Sequence, residues 1–433
     1  MSLPRYSEYK DSGVAWLAEI PAQWELKRLG YFFDERREKV SDKDFPALSV
    51  TKNGIVPQLE TAAKTDDGDN RKKVCSGDFV INSRSDRKGS SGISSLDGSV
   101  SLINTVLRPR AEVVPGYVHQ LLRSQSFQEE FYRFGKGIVA DLWSTNYSEM
   151  SNITLALPSR QEQTAIAAFL DRETAKIDGL IAEQEKLITL LAEKRQATIS
   201  HAVTKGLNTD TPMKDSGVVW LGEVPAHWNV APLSIICSLI QTGPFGSQLH
   251  AEDYIEDGTP VVNPSNLVDG QIVPDWKCSV AAEMVNSLPQ HVLRIGDIVF
   301  GRRGEMGRCA LVKPDNAGWL CGTGSLNLRL KTGNPKFVVT YLGTPIVREL
   351  LKLESVGSTM DNLNAGILSR IRVPQPPDVE QAAIATFLET EISRLNALTA
   401  EATHGIALLK ERRSALISAA VTGKIDVREA NNQ

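Results

Sequence analysis

Two stretches of this 433-residue chain place arginine, glycine and small polar residues directly after an apolar run: DFVINSRSDRKGSS from Asp78 and DIVFGRRGEMGR from Asp297. An arginine fork donates two parallel hydrogen bonds and so matches the paired acceptors of a guanine edge, whereas lysine, serine and threonine more often fix phosphates. The apolar run reads as a strand and its Gly- and Arg-bearing tail as a loop that a rigid sheet presents. Arg84 and Arg303 align at the two exits, with Arg87, Lys88, Arg302 and Arg308 beside them. Either these side chains approach nucleic acid, or Arg84 and Arg303 form surface ion pairs with Asp86 and Glu305. Arg71, Lys72 and Lys73, in NRKKV, are expected to touch phosphates rather than bases. A third stretch, TGPFGSQLH from Thr242, reads as a turn from its Gly-Pro and Gly-Ser pairs.

Catalysis has no visible seat. The chain contains no G-x-x-x-x-G-K-[ST] loop, and its nearest approach to an [ND]-P-P-[YFW] motif is NPSN at Asn263, which lacks the second proline and the aromatic. Five cysteines, Cys75, Cys237, Cys278, Cys309 and Cys321, form no CxxC pair and have no histidine at metal-ligand spacing, so they read as small core residues and no metal site is expected. No basic segment followed by an apolar one opens the sequence, and no stretch reaches the roughly 18 apolar residues of a membrane span, so a cytoplasmic location without a membrane partner is expected. A net charge of −4 argues against a protein held to DNA by phosphates alone, although Asn70 to Gly89 carries six basic against two acidic residues.

What must position these loops is written twice. DSGVAWLAEIPAQW at Asp11 returns as DSGVVWLGEVPAHW at Asp215, and the segment from Glu162 to Leu207 matches the one from Glu380 without a gap. Between these shared ends little agrees beyond GDFVINSRSD and GDIVFGRRGE, which suggests a common frame holding two different readers. The long matching segments are helices. Leu388, Leu395, Leu409 and Leu416 lie on a seven-residue repeat, Leu170, Ile177 and Leu191 occupy the same register, and Leu180, Leu187 and Leu398 widen the stripe to face a partner helix.

Each helix follows a proline-bearing strand end, with Ser159 or Asp378 available as a cap. Gly179 and Gly405 inside the helices are either tolerated defects or points of close helix approach. About 45 helical residues span roughly 68 Å, so two antiparallel rods would hold the globular parts well apart. Trp16, Trp24, Trp220 and Trp228 are expected to pack as core or helix-end contacts rather than stack on bases.

The expected fold is mixed α/β: two globular recognition domains separated by two long antiparallel helices in a coiled coil, with an internal pseudo-two-fold repeat. Its segments are residues 1–158, the helix 159–207, residues 208–376, the helix 377–427 and a tail, 428–433. Two unlike readers related by a two-fold axis suit a split, non-palindromic DNA target whose spacer the rods set. The alternative is a coiled-coil scaffold that binds proteins and no DNA, which leaves the two unlike globular regions without a purpose.

The helix ends LLAEKRQATISHAVTKGL and LLKERRSALISAAVTGKIDV, the doubled DSGVxWLxExPxxW box and TGPFGSQL give the chain a family resemblance. Over nearly its whole length it resembles the specificity subunit of a type I restriction-modification system. That resemblance implies two variable target-recognition domains that read the 5′ and 3′ parts of a double-stranded DNA site. It also implies assembly with two adenine-N6 methyltransferase subunits and with ATP-driven restriction (translocase) subunits. S-adenosylmethionine, ATP and Mg would belong to those partners, with no cofactor in this chain. The resemblance turns Ser247 and Gln248 towards DNA, and it offers Lys194, Arg195, Arg412 and Arg413 as docking contacts, against a plain solubility role.

Overall fold

The computed structural model describes residues 4–60, 68–137, 143–245, 248–304, 307–355 and 363–428. They form two compact units, Met1–Glu185 with Thr403–Gln433, and Lys186–Ala402. The division falls inside the two long helices, not at residues 158, 207 and 376, because each helix gives its two ends to different cores.

Each unit is built on an antiparallel four-stranded sheet. In the first, β1 (Phe33–Glu35), β2 (Phe79–Asn82), β3 (Ser91–Ile93) and β4 (Asn104–Pro109) lie in the order β3-β2-β4-β1. The chain continues into α1 (Pro115–Arg123), α2 (Gln125–Arg133) and the 46-residue α3 (Arg160–Lys205). In the second, β5 (Cys237–Thr242), β6 (Ile298–Gly301), β7 (Cys309–Leu311) and β8 (Ser325–Leu330) lie in the order β7-β6-β8-β5. They lead into α4 (Pro335–Leu342), α5 (Pro345–Ser355) and the 44-residue α6 (Asp378–Val421). Strand for strand the orders correspond, so regions with little sequence in common share a sheet. The second layers differ: three strands around Arg71–Val74 in one unit, four around Thr259–Val262 in the other.

Every residue of β2 and of β6 is buried, as expected for short apolar runs covered on both faces. The Gly-Asp pair before each strand forms a repeated turn. Gly77 and Gly296 adopt φ of +92° and +88°, a region glycine enters without a Cβ penalty. Asp78 Oδ2 accepts the Cys75 N–H at 2.8 Å, and Asp297 Oδ2 accepts the Arg294 N–H at 2.9 Å. Both aspartates are buried and held by arginine forks: Arg36 reaches Asp78 at 2.7 and 3.1 Å, and Arg329 reaches Asp297 at 2.8 and 2.6 Å. A bidentate fork on a desolvated carboxylate fixes both position and direction.

The tryptophan boxes have the same local logic. Asp11 Oδ1 accepts the Gly13 N–H at 2.9 Å and Asp215 Oδ1 the Gly217 N–H at 3.0 Å, each glycine at positive φ, so D-S-G is an Asx turn. Trp24 and Trp228 are wholly buried, and their indole N–H groups donate to Glu162 at 3.0 Å and to Glu380 at 3.1 Å, in the first turns of α3 and α6. The boxes are thus core and helix-end contacts. Ser159 caps α3, its hydroxyl accepting the Glu162 N–H at 3.3 Å. Asp378 does not cap α6 but is its first residue; the Pro377 carbonyl accepts from Glu380 instead, at 2.8 Å.

Ile166 and Leu170 of α3 share the first unit's core with Ile417, Ala420 and Val421 of α6, while Ala202 and Val203 share the second unit's core with Ile384 and Leu388. In the first unit Asp178 pairs with Arg413 at 2.8 Å. Within each unit the two helices therefore run antiparallel. Leu170, Ile177, Leu191, Leu388 and Leu395 are buried and Leu409 and Leu416 half-buried, but Leu180, Leu187 and Leu398 are exposed, which corrects the wider stripe. A helix facing a single neighbour along its middle buries one narrow row, and a second row stays at its edge.

A Cβ built on Gly179 or Gly405 meets nothing within 4 Å, so neither marks a close helix approach. Gly423 differs: its φ is +74°, and a Cβ there would lie 2.3 Å from Pro21 and 3.2 Å from Trp24. Gly405→Ala is expected to stabilise the chain by roughly 0.5–1 kcal/mol. Gly423→Ala should destabilise it by about 2 kcal/mol or more. Urea melts of both variants check the opposite signs.

Candidate nucleic-acid interface

In the first unit the exit from β2 is set by buried polar groups. Asn82 Oδ1 accepts the Arg84 N–H at 3.0 Å, and the Ser83 hydroxyl meets that of Thr105 at 3.0 Å. Arg84 then stands exposed ahead of a 3-10 turn, Ser85–Arg87. Asp86 pairs with Arg87 at 3.6 Å and not with Arg84, whose guanidinium has no ion-pair partner among the described residues. Both members of that pair are exposed, so it holds Arg87 only weakly. Lys88 is exposed too, its Nζ 5.3 Å above the Tyr132 ring.

The corresponding exit in the second unit separates its two adjacent arginines. Arg303 is exposed, whereas Arg302 is 6% exposed and turned inward: Nε donates to the Leu363 carbonyl at 3.0 Å, and the guanidinium lies 4.8 Å over the Phe245 ring. Burial first, and then the like charge of Arg303, push the Arg302 pKa down. The expectation that Arg302 reaches DNA is therefore corrected: held by Leu363 and Phe245, it clamps the loop, and Arg303 is the arginine left exposed. Arg308 is half-buried, its carbonyl accepting the Gly301 N–H at 2.9 Å to close the hairpin. Glu305, the alternative partner of Arg303, lies outside the described residues.

Phe245 joins this exit to the TGPFGSQL turn, a link that sequence reasoning missed. Gln248 is exposed and ties the turn, its Oε1 accepting the Phe245 N–H at 3.1 Å. Ser247 lies outside the described residues. An aromatic between two turn-forming glycine pairs was the available signal, since such a ring needs a surface to cover.

Arg71, Lys72 and Lys73 do not line this interface. Arg71, 4% exposed, donates from Nε to Ser99 Oγ at 2.8 Å and from Nη2 to the Ser99 carbonyl at 3.1 Å, and burial pushes its pKa down. Lys72 Nζ donates to the Asn104 carbonyl at 2.8 Å, and Lys73 pairs with Glu38 at 2.8 Å. Arg71 binds the second layer together, Lys72 ties it to β4 of the main sheet and Lys73 is paired at its edge, so the expectation of phosphate contacts is corrected. Of the matched helix residues, Lys194, Arg195 and Arg412 are exposed, whereas Arg413 is engaged by Asp178. Cys237, Cys309 and Cys321 are buried, and desolvation pushes their thiols up to about 12, which fits the core reading.

Residues 225–406 match the type I restriction modification DNA specificity domain. The chain is 23% identical over 281 residues to the type I restriction enzyme EcoBI specificity subunit of Escherichia coli, covering 64% of this chain and 59% of that protein. It is 25% identical over 286 residues to the MjaVIII specificity subunit of Methanocaldococcus jannaschii, covering 65% and 64%. The chain thus spans less than two thirds of the length of these curated relatives. Among solved structures it resembles a chain from a study of complex assembly and conformational transition of the type I R-M system, with a TM-score of 0.65, 20% identity and coverage of 93% and 98%. It also resembles the HsdS subunit from Thermoanaerobacter tengcongensis, with a TM-score of 0.56, 19% identity and coverage of 93% and 98%. At such identities the likeness is one of fold.

Arg71→Ala should lower stability by roughly 2 kcal/mol, because it strands the buried Ser99 acceptors. Arg84→Ala should change stability by less than about 0.5 kcal/mol. Urea unfolding of the two variants separates the structural arginine from the free one.

Proposed function

We propose that this chain, which belongs to the specificity subunits of type I restriction-modification systems, recognises double-stranded DNA at a split, asymmetric site. One half is read from the Arg84 loop and the other from the Arg303 loop. The observation that carries this reading is the repeated exit: in each unit a wholly buried strand at the same place in the same sheet delivers an exposed arginine without an ion-pair partner among the described residues. A rigid strand lets a guanidinium discriminate bases, since bidentate geometry tolerates little error. Unlike second layers around a like sheet favour two different half-sites.

The proposed role is that of a reader. Methyl transfer, translocation and cleavage, with S-adenosylmethionine, ATP and Mg, fall to two methyltransferase subunits and to restriction subunits. The exposed Leu180, Leu187 and Leu398 supply apolar surface on the helices for such partners. Among the described residues no helix is long and apolar enough to cross a membrane, and we assign the chain to the cytoplasm. A scaffold that binds no DNA gives these arginine exits no use.

With the chain assembled on its methyltransferases, Arg84→Ala should relax base preference in one half-site and Arg303→Ala in the other, each by about 1–3 kcal/mol, or roughly 5- to 150-fold. Selection and sequencing of bound duplexes reads both, and a change in both halves at once, or in neither, overturns the assignment. Adding one helical turn to both α3 and α6 should change the tolerated spacer and leave the selected bases as they were.

A further inference from the structure

A cavity of about 420 Å³ opens in the first unit beside the Arg84 loop, lined by Lys52, Lys88, His119, Arg123, Gln128 and Arg413 among others. No lining residue is acidic. Two carboxylates pair with lining residues at its edge, Asp178 with Arg413 at 2.8 Å and Asp171 with the Gln120 amide at 3.3 Å, whereas Arg123, Lys52 and Lys88 have no carboxylate partner among the described residues. Arg123 is half-buried, and its hydrogen-bond partners among the described residues are neutral: the Lys52 carbonyl, and His119 Nε2 at 2.7 Å. Burial and the neighbouring arginines push the His119 pKa down to about 4, so the imidazole adds no charge at neutral pH. Desolvation and the like charge of Arg413 also push the Arg123 pKa down.

A half-buried guanidinium facing a second arginine and two lysines with no carboxylate of its own carries an electrostatic cost that an anion would relieve. The volume exceeds the roughly 30 Å³ share of one water many times over, and suits a tetrahedral oxyanion with part of the molecule that bears it.

We propose that this cavity is a phosphate site in which Arg123, Lys52 and Lys88 receive one phosphate group, supplied either by a DNA backbone or by a small phosphate-bearing molecule. The DNA source rests on the function proposed above; the small-molecule source does not. Melting of the full chain is compared in sodium phosphate and in sodium chloride of equal ionic strength, for the wild type, Arg123→Gln and Lys52→Ala. Lys52→Ala removes only an exposed side chain, so it stays informative if Arg123→Gln folds poorly. In parallel, the salt dependence of binding to a duplex of unrelated sequence is measured for the same three proteins.

A small-molecule site predicts that phosphate raises the wild-type melting temperature by roughly 2 °C or more and that both variants lose the rise. A backbone site predicts that the log–log salt slope falls by about 0.9 in both variants, the loss of one phosphate contact. Melting that ignores phosphate, or responds equally in all three proteins, together with an unchanged slope, overturns the proposal. A wild-type chain that binds no DNA would sink the recognition role while leaving the phosphate melts to decide the cavity.

Discussion

The carboxylate of Glu162 receives the indole N–H of Trp24 in a site closed to water, and the half-buried Glu380, which also meets His227 at 2.8 Å, receives that of Trp228. The next residue completes each joint. Gln163 accepts the Val114 N–H at 2.9 Å and donates to the Pro158 carbonyl at 3.0 Å; Gln381 accepts the Asn334 N–H at 2.7 Å and donates to the Pro376 carbonyl at 2.8 Å. One Glu-Gln pair thus fastens the tryptophan box, the strand end that precedes the long helix, and the residue before the first helix of the globular layer. A buried indole or amide left without its partner costs about 1–3 kcal/mol, so the elements meeting there must all be present together. The C-terminal end of α6 is drawn into the first unit by the same joint. Tyr117 donates to the Val421 carbonyl at 3.2 Å, Tyr9 to the Gly423 carbonyl at 3.1 Å, and Gly423 packs on Pro21 and Trp24.

From that joint the constraint passes to the loops through the sheet. The Gly-Asp turns fix where β2 and β6 begin, because Asp78 and Asp297 each accept a backbone N–H three residues back and a bidentate arginine from another strand or its edge. With the start fixed and every residue of the strand buried, the exit has little freedom. Asn82 in one unit and Arg302 in the other then set the first residues of the loop. The repeated GD was visible in the sequence as similarity, but its reason is a turn that only glycine enters easily and a carboxylate that only a fork satisfies.

The long helices and the strand before each were legible because they depend on periodicity or on residues near in sequence, and the tryptophan box as a helix-end contact was legible from the repeat order, although its partners Glu162 and Glu380 lie 138 and 152 residues away. The fate of individual cations was not. Arg71 and Lys73 read as solvent-facing by charge, yet Arg71 is turned onto Ser99, 28 residues away, and Lys73 onto Glu38, 35 residues away. Arg302 and Arg303 are adjacent and chemically identical, and only contacts distant in sequence, with Leu363 and Phe245, decide which goes inward. The same limit hid the narrowness of the helix seam: Leu180 and Leu187 carry the right residue type, but how many neighbours face a helix is a property of the fold.

Those inward turns change the meaning of the charge count. Asn70 to Gly89 holds six basic residues against two acidic ones, but Arg71 and Lys72 are turned inward, and Lys73 and Arg87 lie beside Glu38 and Asp86. Arg84 and Lys88 remain exposed in that segment without an acidic partner among the described residues. On a chain of net charge −4, the two free cations of this segment give weak general attraction to phosphates. Under the proposed reading, discrimination between sequences depends on where a few guanidinium groups are held rather than on how many there are. If these arginines read bases as proposed, a positional error that a strongly basic surface would absorb would here remove the preference itself, and a buried strand end is the rigid support such a reader requires.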